Sequence, residues 1–268
     1  MTKNEFQTLV YDYYKKAGRH DLLWRKTRDP YEILVSEIML QQTQVSRVLK
    51  RYPEFISRFP TAEALAKAPV LEVLATWQGL GYNRRALNLK GAAEAVMRDL
   101  GGVFPKTAED LESLPGVGQS TRGALMAFAF GIPTAFIETN IRSIYLHHFF
   151  KDKKSVSDRD ILPVIEETLD RKNPRDWYYA LMDYGVHLKE TLPNPSRRSK
   201  HHAKQSAFKG SNREVRSLIL SSVLKGIRDR KALDKAIGKT PHDVEKNIRA
   251  LIAEGFIVET NGSLMPKS

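Results

Sequence analysis

Glu37 stands in the run Val35-Ser-Glu-Ile-Met-Leu40, an apolar helical pattern in which Glu32 is the only other acid between Tyr31 and Arg47. A carboxyl in apolar surroundings resists ionisation, so it stays protonated near neutral pH and can donate. Downstream, Phe136-Ile-Glu-Thr-Asn140 sets a second acid, Glu138, after an apolar run, with Asn140 two residues on. Cleavage of a glycosidic bond needs such a pair. One acid protonates the leaving group, while a carboxylate stabilises the cationic sugar or activates water. Taken singly, each acid has an ordinary reading, because most helical glutamates are solvated. A third motif is Leu114-Pro-Gly-Val-Gly-Gln-Ser-Thr121. Gly116 and Gly118 permit a tight turn that makes Val117 and Gln119 candidate DNA contacts, and a new helix starts near Ser120. Amides at a helix start form a phosphate site, and small residues let a nucleic-acid backbone approach. This is a helix-hairpin-helix pattern, although a bland turn would also produce a Gly-x-Gly.

The elements that carry these motifs read as helices. Asp29-Pro30 is a cap and first turn ahead of Tyr31 to Leu40, and Asn173-Pro174 repeats the signal ahead of Trp177 to Met182. Thr61 opens another segment rich in Ala, Leu and Glu. Thr107-Ala-Glu-Asp110 fits a capping box with Asp in place of Glu or Gln. No run alternates long enough for a sheet, so residues 1–189 are expected to form an all-α domain. Residues 190–212 hold prolines and basic residues and read as a basic linker, an extended arm or a solvated loop. In 213–268, helices are expected over 213–230, 231–237 and from Thr240-Pro241 to about Glu254. Two short strands around Asn261-Gly262 follow. Three helices and a hairpin make a winged-helix-like pattern, used for DNA-groove contact or for protein contact.

Composition narrows the partners. The 268 residues carry 43 Lys and Arg against 31 Asp and Glu, a net charge of +12. Residues 190–268 hold 16 of those cations and 8 of the acids. Such a surplus favours a polyanion, either nucleic acid or an acidic membrane surface. No apolar run reaches the roughly 20 residues of a membrane span, and the first residues lack a secretory signal. The chain is expected to be cytoplasmic, monomeric and without a membrane partner. There is no cysteine, which excludes disulfides, thiolate metal sites, cysteine-ligated clusters and cysteine nucleophiles. His201 and His202 are adjacent on a basic loop with no third ligand, so no metal site is expected.

Together the three motifs, with Trp24-Arg25 upstream and Trp77-Gln-Gly-Leu-Gly-Tyr82 between, resemble the helix-hairpin-helix (HhH-GPD) DNA glycosylases. The likeness is strongest to the MutY-type adenine glycosylases and runs from about Leu22 to Val186. It implies a two-lobed helical fold that kinks DNA and flips a nucleotide, since the bond to be cut is inaccessible in a stacked duplex. By the same resemblance, Glu37 matches the acid that protonates adenine, and Asn140 the partner that orients the catalytic carboxylate. Trp24 and Arg25 match positions lining the base pocket. Gln42 and Tyr82 match residues that wedge beside the opposite base. Gly116 and Gly118 match the phosphate-binding hairpin, where a monovalent cation can also bind. Ser120 falls where the related endonuclease III carries its lyase lysine, so no Schiff base is expected.

Three departures stand out. The family's catalytic Asp falls at Glu138, which moves the carboxylate outward by a methylene, about 1 Å or more, where catalytic geometry tolerates little error. The family's four cluster-binding cysteines have no counterpart after Lys189, so no iron–sulfur cluster is expected. Arg197, Arg198, Lys200, Lys204 and Lys209 are candidates to contact phosphate in its place. The 8-oxoguanine-reading domain of MutY-type enzymes is matched only by the shorter winged-helix-like segment. The expected function is monofunctional excision of a mispaired base in double-stranded DNA, adenine opposite guanine or 8-oxoguanine. Alternatives are a mismatch glycosylase for uracil, thymine or hypoxanthine, and a DNA-binding protein without catalysis.

Overall fold

The structure is a computed structural model that describes residues 1–202, 207–238 and 241–267. Two sequence expectations, Lys204 as a phosphate contact and Thr240 as a helix opener, lie outside the described residues. The chain is mostly helical and divides into two compact units. The first holds residues 1–38 and 104–204, the second residues 39–103 and 205–268.

The first unit opens with α1 (Lys3–Ala17), whose start carries a reciprocal capping box between Thr2 and Glu5. After a 3-10 turn over Leu23–Arg25 comes α2 (Pro30–Leu40). Asp29 caps it by accepting from the Tyr31 amide at 2.8 Å. Tyr31, Ile33, Leu34, Val35 and Ile38 on α2 are all buried.

The second unit begins with α3 (Val45–Arg58), α4 (Ala62–Lys67), α5 (Val70–Thr76) and α6 (Arg84–Asp99). Phe55, Phe59 and Trp77 make an edge-to-face aromatic core among them.

The chain then returns to the first unit for α7 (Ala108–Ser113), α8 (Gln119–Phe128), α9 (Thr139–His148), α10 (Asp158–Thr168) and α11 (Pro174–Thr191). Phe6 of α1 meets Tyr145 and Trp177 edge-on at 5.3 and 5.8 Å, which ties α1, α9 and α11 together. Thr107 caps α7 by accepting from the Asp110 amide. The expected box is half-made: the Asp110 carboxylate takes the Thr107 hydroxyl instead of the cap's backbone N–H.

The second unit closes with α12 (Asn212–Leu224), α13 (Arg230–Ile237), α14 (Pro241–Ala253) and a hairpin of β1 (Ile257–Thr260) and β2 (Ser263–Pro266). Asn261 and Gly262, both at positive φ, make the hairpin turn. The helix expected over 213–230 stops at Leu224. Gly226 at φ 94° breaks it, and Asp229 then caps α13 by accepting from the Ala232 amide. Ile219, Val223, Leu233, Val244, Ile248 and Leu264 fill the core of this three-helix-plus-hairpin module.

Candidate active site and candidate nucleic-acid interface

Glu37 sits in the last turn of α2, half-buried, between the fully buried Ser36 and Ile38. Its carboxyl makes no hydrogen bond with the described residues. Burial, reinforced by the negative charge of Glu138 and only partly offset by Arg25, pushes its pKa up to about 8. The group is therefore a protonated acid at neutral pH with its hydroxyl unspent.

Glu138 is placed by the extended segment that precedes α9. Tyr178 of α11 donates to the Thr134 carbonyl at 2.7 Å and takes the Phe136 amide at 3.4 Å. Gly123 of α8 lets the Phe136 side chain pass, for a Cβ there would fall 2.4 Å from it. Glu138 then caps α9 with its own side chain. Oε1 accepts from the amides of Asn140 and Ile141 at 2.7 and 2.8 Å, and Oε2 accepts from the Asn140 side-chain amide at 3.1 Å. The added methylene is thus taken up by folding the carboxylate back onto its own helix start, where the macrodipole favours negative charge. Asn140 Oδ1 is left buried without a partner among the described residues. Gly185 of α11 fixes the approach to this turn, because a Cβ at that position would meet the Asn140 carbonyl oxygen at 2.4 Å.

Arg25, near enough to act on Glu37, is set by Asp183 of α11. Two parallel hydrogen bonds of 2.8 Å join them, and both side chains are almost fully enclosed. Arg19 adds a backbone and a side-chain bond to the same carboxylate, each 2.7 Å. The guanidinium of Arg25 also lies 4.4 Å from the Tyr179 ring. Trp24 is 4% exposed. Asp183 and Tyr178 escaped the sequence reading because their partners lie far away in the chain.

The hairpin between α7 and α8 has its expected shape. Leu114 ends α7, the Val117 amide donates back to the Leu114 carbonyl at 3.1 Å, and α8 starts at Gln119. Gly116 needs its glycine for a φ of 81°. Gly118 does not: it is extended, and a Cβ there would meet nothing within 4 Å. Its value is the open space in front of α8, whose first amides have no side-chain cap among the described residues. Ser120, half-buried, lies in that first turn.

The residues after α11 do not suit an iron–sulfur cluster, since such clusters are held chiefly by cysteine thiolates and the chain has no cysteine. Hydrogen bonds close the segment instead. The Ser196 and Ser143 hydroxyls are 2.6 Å apart in the interior. A parallel bridge joins Ser199 to Val156. Arg198 was expected to contact phosphate. Its guanidinium instead donates to the carbonyls of Leu146, Phe150 and Lys151 at 2.6–2.7 Å, the natural use of a cation at the C-terminal end of α9. Arg197, Lys200 and Lys209 are exposed. Among the described residues no group of three His, Cys, Asp or Glu is placed to hold a metal.

In the second unit, Gln42 and Tyr82 share an unusual backbone, with φ of 54° and 47°. Non-glycine residues adopt this region at a cost that surrounding structure must hold in place. Arg85, which the sequence reading passed over, does so. From α6 it donates to the carbonyls of Met39 at the end of α2, of Gln41 just after it, and of Leu80 and Gly81 on the other loop, and to the Thr43 hydroxyl. It is 8% exposed, and burial lowers its pKa to about 10.

Comparison with known proteins identifies relatives of this chain. Residues 35–167 match the family described as HhH-GPD superfamily base excision DNA repair protein. The adenine DNA glycosylase of Buchnera aphidicola (subspecies Baizongia pistaciae) is 32% identical over 190 residues, 69% of this chain and 53% of that protein. The Mycobacterium tuberculosis adenine DNA glycosylase is 38% identical over 178 residues, 65% and 58%. The human one is 34% identical over 193 residues, 68% and 35%. The chain thus spans about half the length of the first of these relatives. Among solved structures, a thermostable thymine-DNA glycosylase aligns with a TM-score of 0.61 and 28% identity, covering 69% of this chain and 86% of that one. A non-covalent endonuclease III–DNA complex aligns at 0.54 and 19%, covering 78% and 91%, and so shares the fold. The chain belongs to the helix-hairpin-helix HhH-GPD superfamily of base excision DNA repair proteins.

Proposed function

We propose that this protein is a monofunctional DNA glycosylase that hydrolyses the N-glycosidic bond of a flipped, mispaired adenine opposite guanine or 8-oxoguanine. The observation that carries the reading is the split character of its two acids. Glu37 holds a proton to about pH 8 and has no partner for it among the described residues, while Glu138 faces three donors at a helix start. Glu37 protonates the base, which then leaves as a neutral molecule. The sugar, short of electrons at C1′, is stabilised by the Glu138 carboxylate until water adds to C1′ and gives up a proton. Asn140 holds that carboxylate, and Trp24 and Arg25 border the base. With Ser120 in place of an amine, the product is an intact abasic strand. Gly116, Val117, Gly118 and Gln119 grip a phosphate, Arg197 and Lys200 add charge, and Gln42 and Tyr82 enter the gap in the duplex. The adenine DNA glycosylases among its relatives support the choice of base.

Thymine or another mismatched base is the second reading, favoured by the structural likeness to a thymine-DNA glycosylase. The test is single-turnover excision from duplexes with adenine, thymine, uracil or hypoxanthine opposite guanine, and adenine opposite 8-oxoguanine, scored with and without alkali. Alkali-dependent breaks at adenine, lost in Glu37→Gln with binding intact, support the proposal. Release of thymine alone moves the enzyme to the second reading, and release of no base leaves a DNA-binding protein.

A further inference from the structure

The segment that follows α11 packs along α9, and both belong to the first unit. It makes a 3-10 turn over Pro195–Arg198, started by the Asn194 side chain, which accepts from the Ser196 amide at 3.0 Å. Its far end is tied down by Arg198, whose guanidinium meets the Leu146, Phe150 and Lys151 carbonyls. Main-chain bonds of 3.0 and 2.9 Å join Arg198 and Lys200 to Val156 as well. Its near end is tied to the start of α9 by a serine that the chemistry above does not use.

That serine is Ser196, 3% exposed, and it meets Ser143 of α9, 0% exposed. Their hydroxyl oxygens are 2.6 Å apart, and the Thr139 carbonyl lies 2.8 Å from Ser143 Oγ and 3.3 Å from Ser196 Oγ. Each hydroxyl has a single proton to give. The two shorter separations are served together when Ser196 donates to Ser143 and Ser143 donates to Thr139. The chain of hydroxyls thus ends on the carbonyl of the residue next to Glu138. Thr139 itself is exposed, so side-chain packing does little to fix it.

We propose that Ser196 is a positioning residue for Glu138, holding the first turn of α9 through Ser143 and the Thr139 carbonyl. The inference rests on the reading of Glu138 as the carboxylate that stabilises the sugar cation. A glutamate carboxylate ends a flexible side chain, so its place is set by the donors it accepts from. Here those donors are the Asn140 and Ile141 amides and the Asn140 side chain, all in the turn that Ser196 braces. Gly185 of α11 backs the same turn at Asn140. A hydroxyl pair shut away from water is costly to break, because the stranded partner finds no solvent in exchange. Misplacement of a catalytic group by about 1 Å costs as much as about 100-fold in rate.

The experiment compares the full chain with Ser196→Ala, with Glu138→Gln and with both. Thr168→Val serves as a reference, since it breaks a separate buried hydroxyl pair, Thr168 with Tyr145 at 2.6 Å. Single-turnover excision, on the duplex that the wild type cleaves fastest, gives the chemical rate. Dissociation constants are read in chains that also carry Glu37→Gln. Amide hydrogen exchange at Asn140 and Ile141 reports on the turn without any need for activity. Ser196→Ala should slow excision about 10- to 100-fold with binding unchanged, and should speed exchange at both amides. Added to Glu138→Gln it should cost nothing further. Thr168→Val should lose stability while its folded fraction keeps the wild-type rate. Ser196→Cys keeps a side chain of similar size but donates weakly. It should act in the same direction, which covers the case in which Ser196→Ala fails to fold. An unchanged rate, or unchanged exchange at both amides, in a folded Ser196 variant would overturn the proposal and leave the glycosylase reading standing. So would a loss that multiplies with that of Glu138→Gln, for Ser196 would then act elsewhere. A Glu138→Gln protein that excises at the full rate would remove the reading of Glu138 and this proposal with it. Faster exchange at the two amides in a protein that excises no base would support the brace while removing the glycosylase reading.

Discussion

Arg25 and Asp183, distant in sequence, meet through two parallel 2.8 Å hydrogen bonds with side chains only 5% and 2% exposed. A bidentate pair so enclosed holds both groups in one geometry, and removal of either leaves a charge in a poor dielectric. Asp183→Ala should therefore lower unfolding free energy by about 3–5 kcal/mol, the usual cost of half a buried pair. The double variant Arg25→Met with Asp183→Leu should recover much of that stability, yet not the excision rate, if Arg25 borders the base as proposed. Denaturant unfolding and single-turnover excision on the same three proteins check this. A double variant no more stable than Asp183→Ala would show that the pair is not an isolated unit.

The like-charge influence of Glu138 on Glu37 gives a pH signature. Excision should fall as pH rises through about 8, where Glu37 loses its proton. Glu138→Gln removes a charge that raises the Glu37 pKa, so the residual activity should fall off at lower pH than in the wild type. The same shift has a stability sign. A folded pKa raised above the ordinary carboxylate value means that stability is complete below that ordinary value and is lost as pH rises toward about 8. Glu37→Gln cannot ionise, so its stability relative to wild type should improve across that window. A rate profile unmoved by Glu138→Gln would sink the coupling between the two acids.

The sequence made much of this site legible because its signals are local. Asp29 and Thr107 announce their helices through side-chain bonds spanning two or three residues. Gly116 announces a turn through a conformation other residues rarely take. Glu37 is conspicuous as a lone acid in an apolar run. What stayed hidden is positioning over long range. Asp183 behind Arg25, Tyr178 behind the segment leading to Glu138, and Arg85 behind the loops of Gln42 and Tyr82 are ordinary helical residues until the fold brings their partners near. Arg198 misled for the same reason. Its basic neighbourhood suggested phosphate, whereas its partners are carbonyls around the end of α9, 47 to 52 residues away.

Gly185 should refuse alanine. In a helix interior that change ordinarily stabilises by about 1 kcal/mol. Here the new Cβ would stand 2.4 Å from the Asn140 carbonyl oxygen, which is backbone and cannot swing aside. Gly185→Ala should instead destabilise the protein and push the first turn of α9 away, taking Glu138 and Asn140 with it. Thermal unfolding and the excision rate constant of the folded fraction should both decline. A stabilised, fully active variant would mean that α11 has room to retreat.

Arg197, Arg198 and Lys200 should separate under salt. Binding that neutralises phosphates weakens with salt in proportion to the number neutralised, with a slope of about −0.9 per contact on duplex DNA. Arg197 and Lys200 are exposed, and loss of either as a phosphate contact should make the slope of log affinity against log salt shallower by about 0.9. Arg198 is different, since its guanidinium is spent on three carbonyls within the first unit. Arg198→Ala should leave the slope unchanged while lowering stability by about 1.5–3 kcal/mol, the worth of a charge-assisted hydrogen bond, and more where several are lost together. Affinity titrations between 50 and 200 mM salt, roughly the range in which phosphate contacts dominate, alongside denaturation, distinguish the two behaviours. A shallower slope for a fully stable Arg198→Ala protein would return that residue to the DNA-contacting surface.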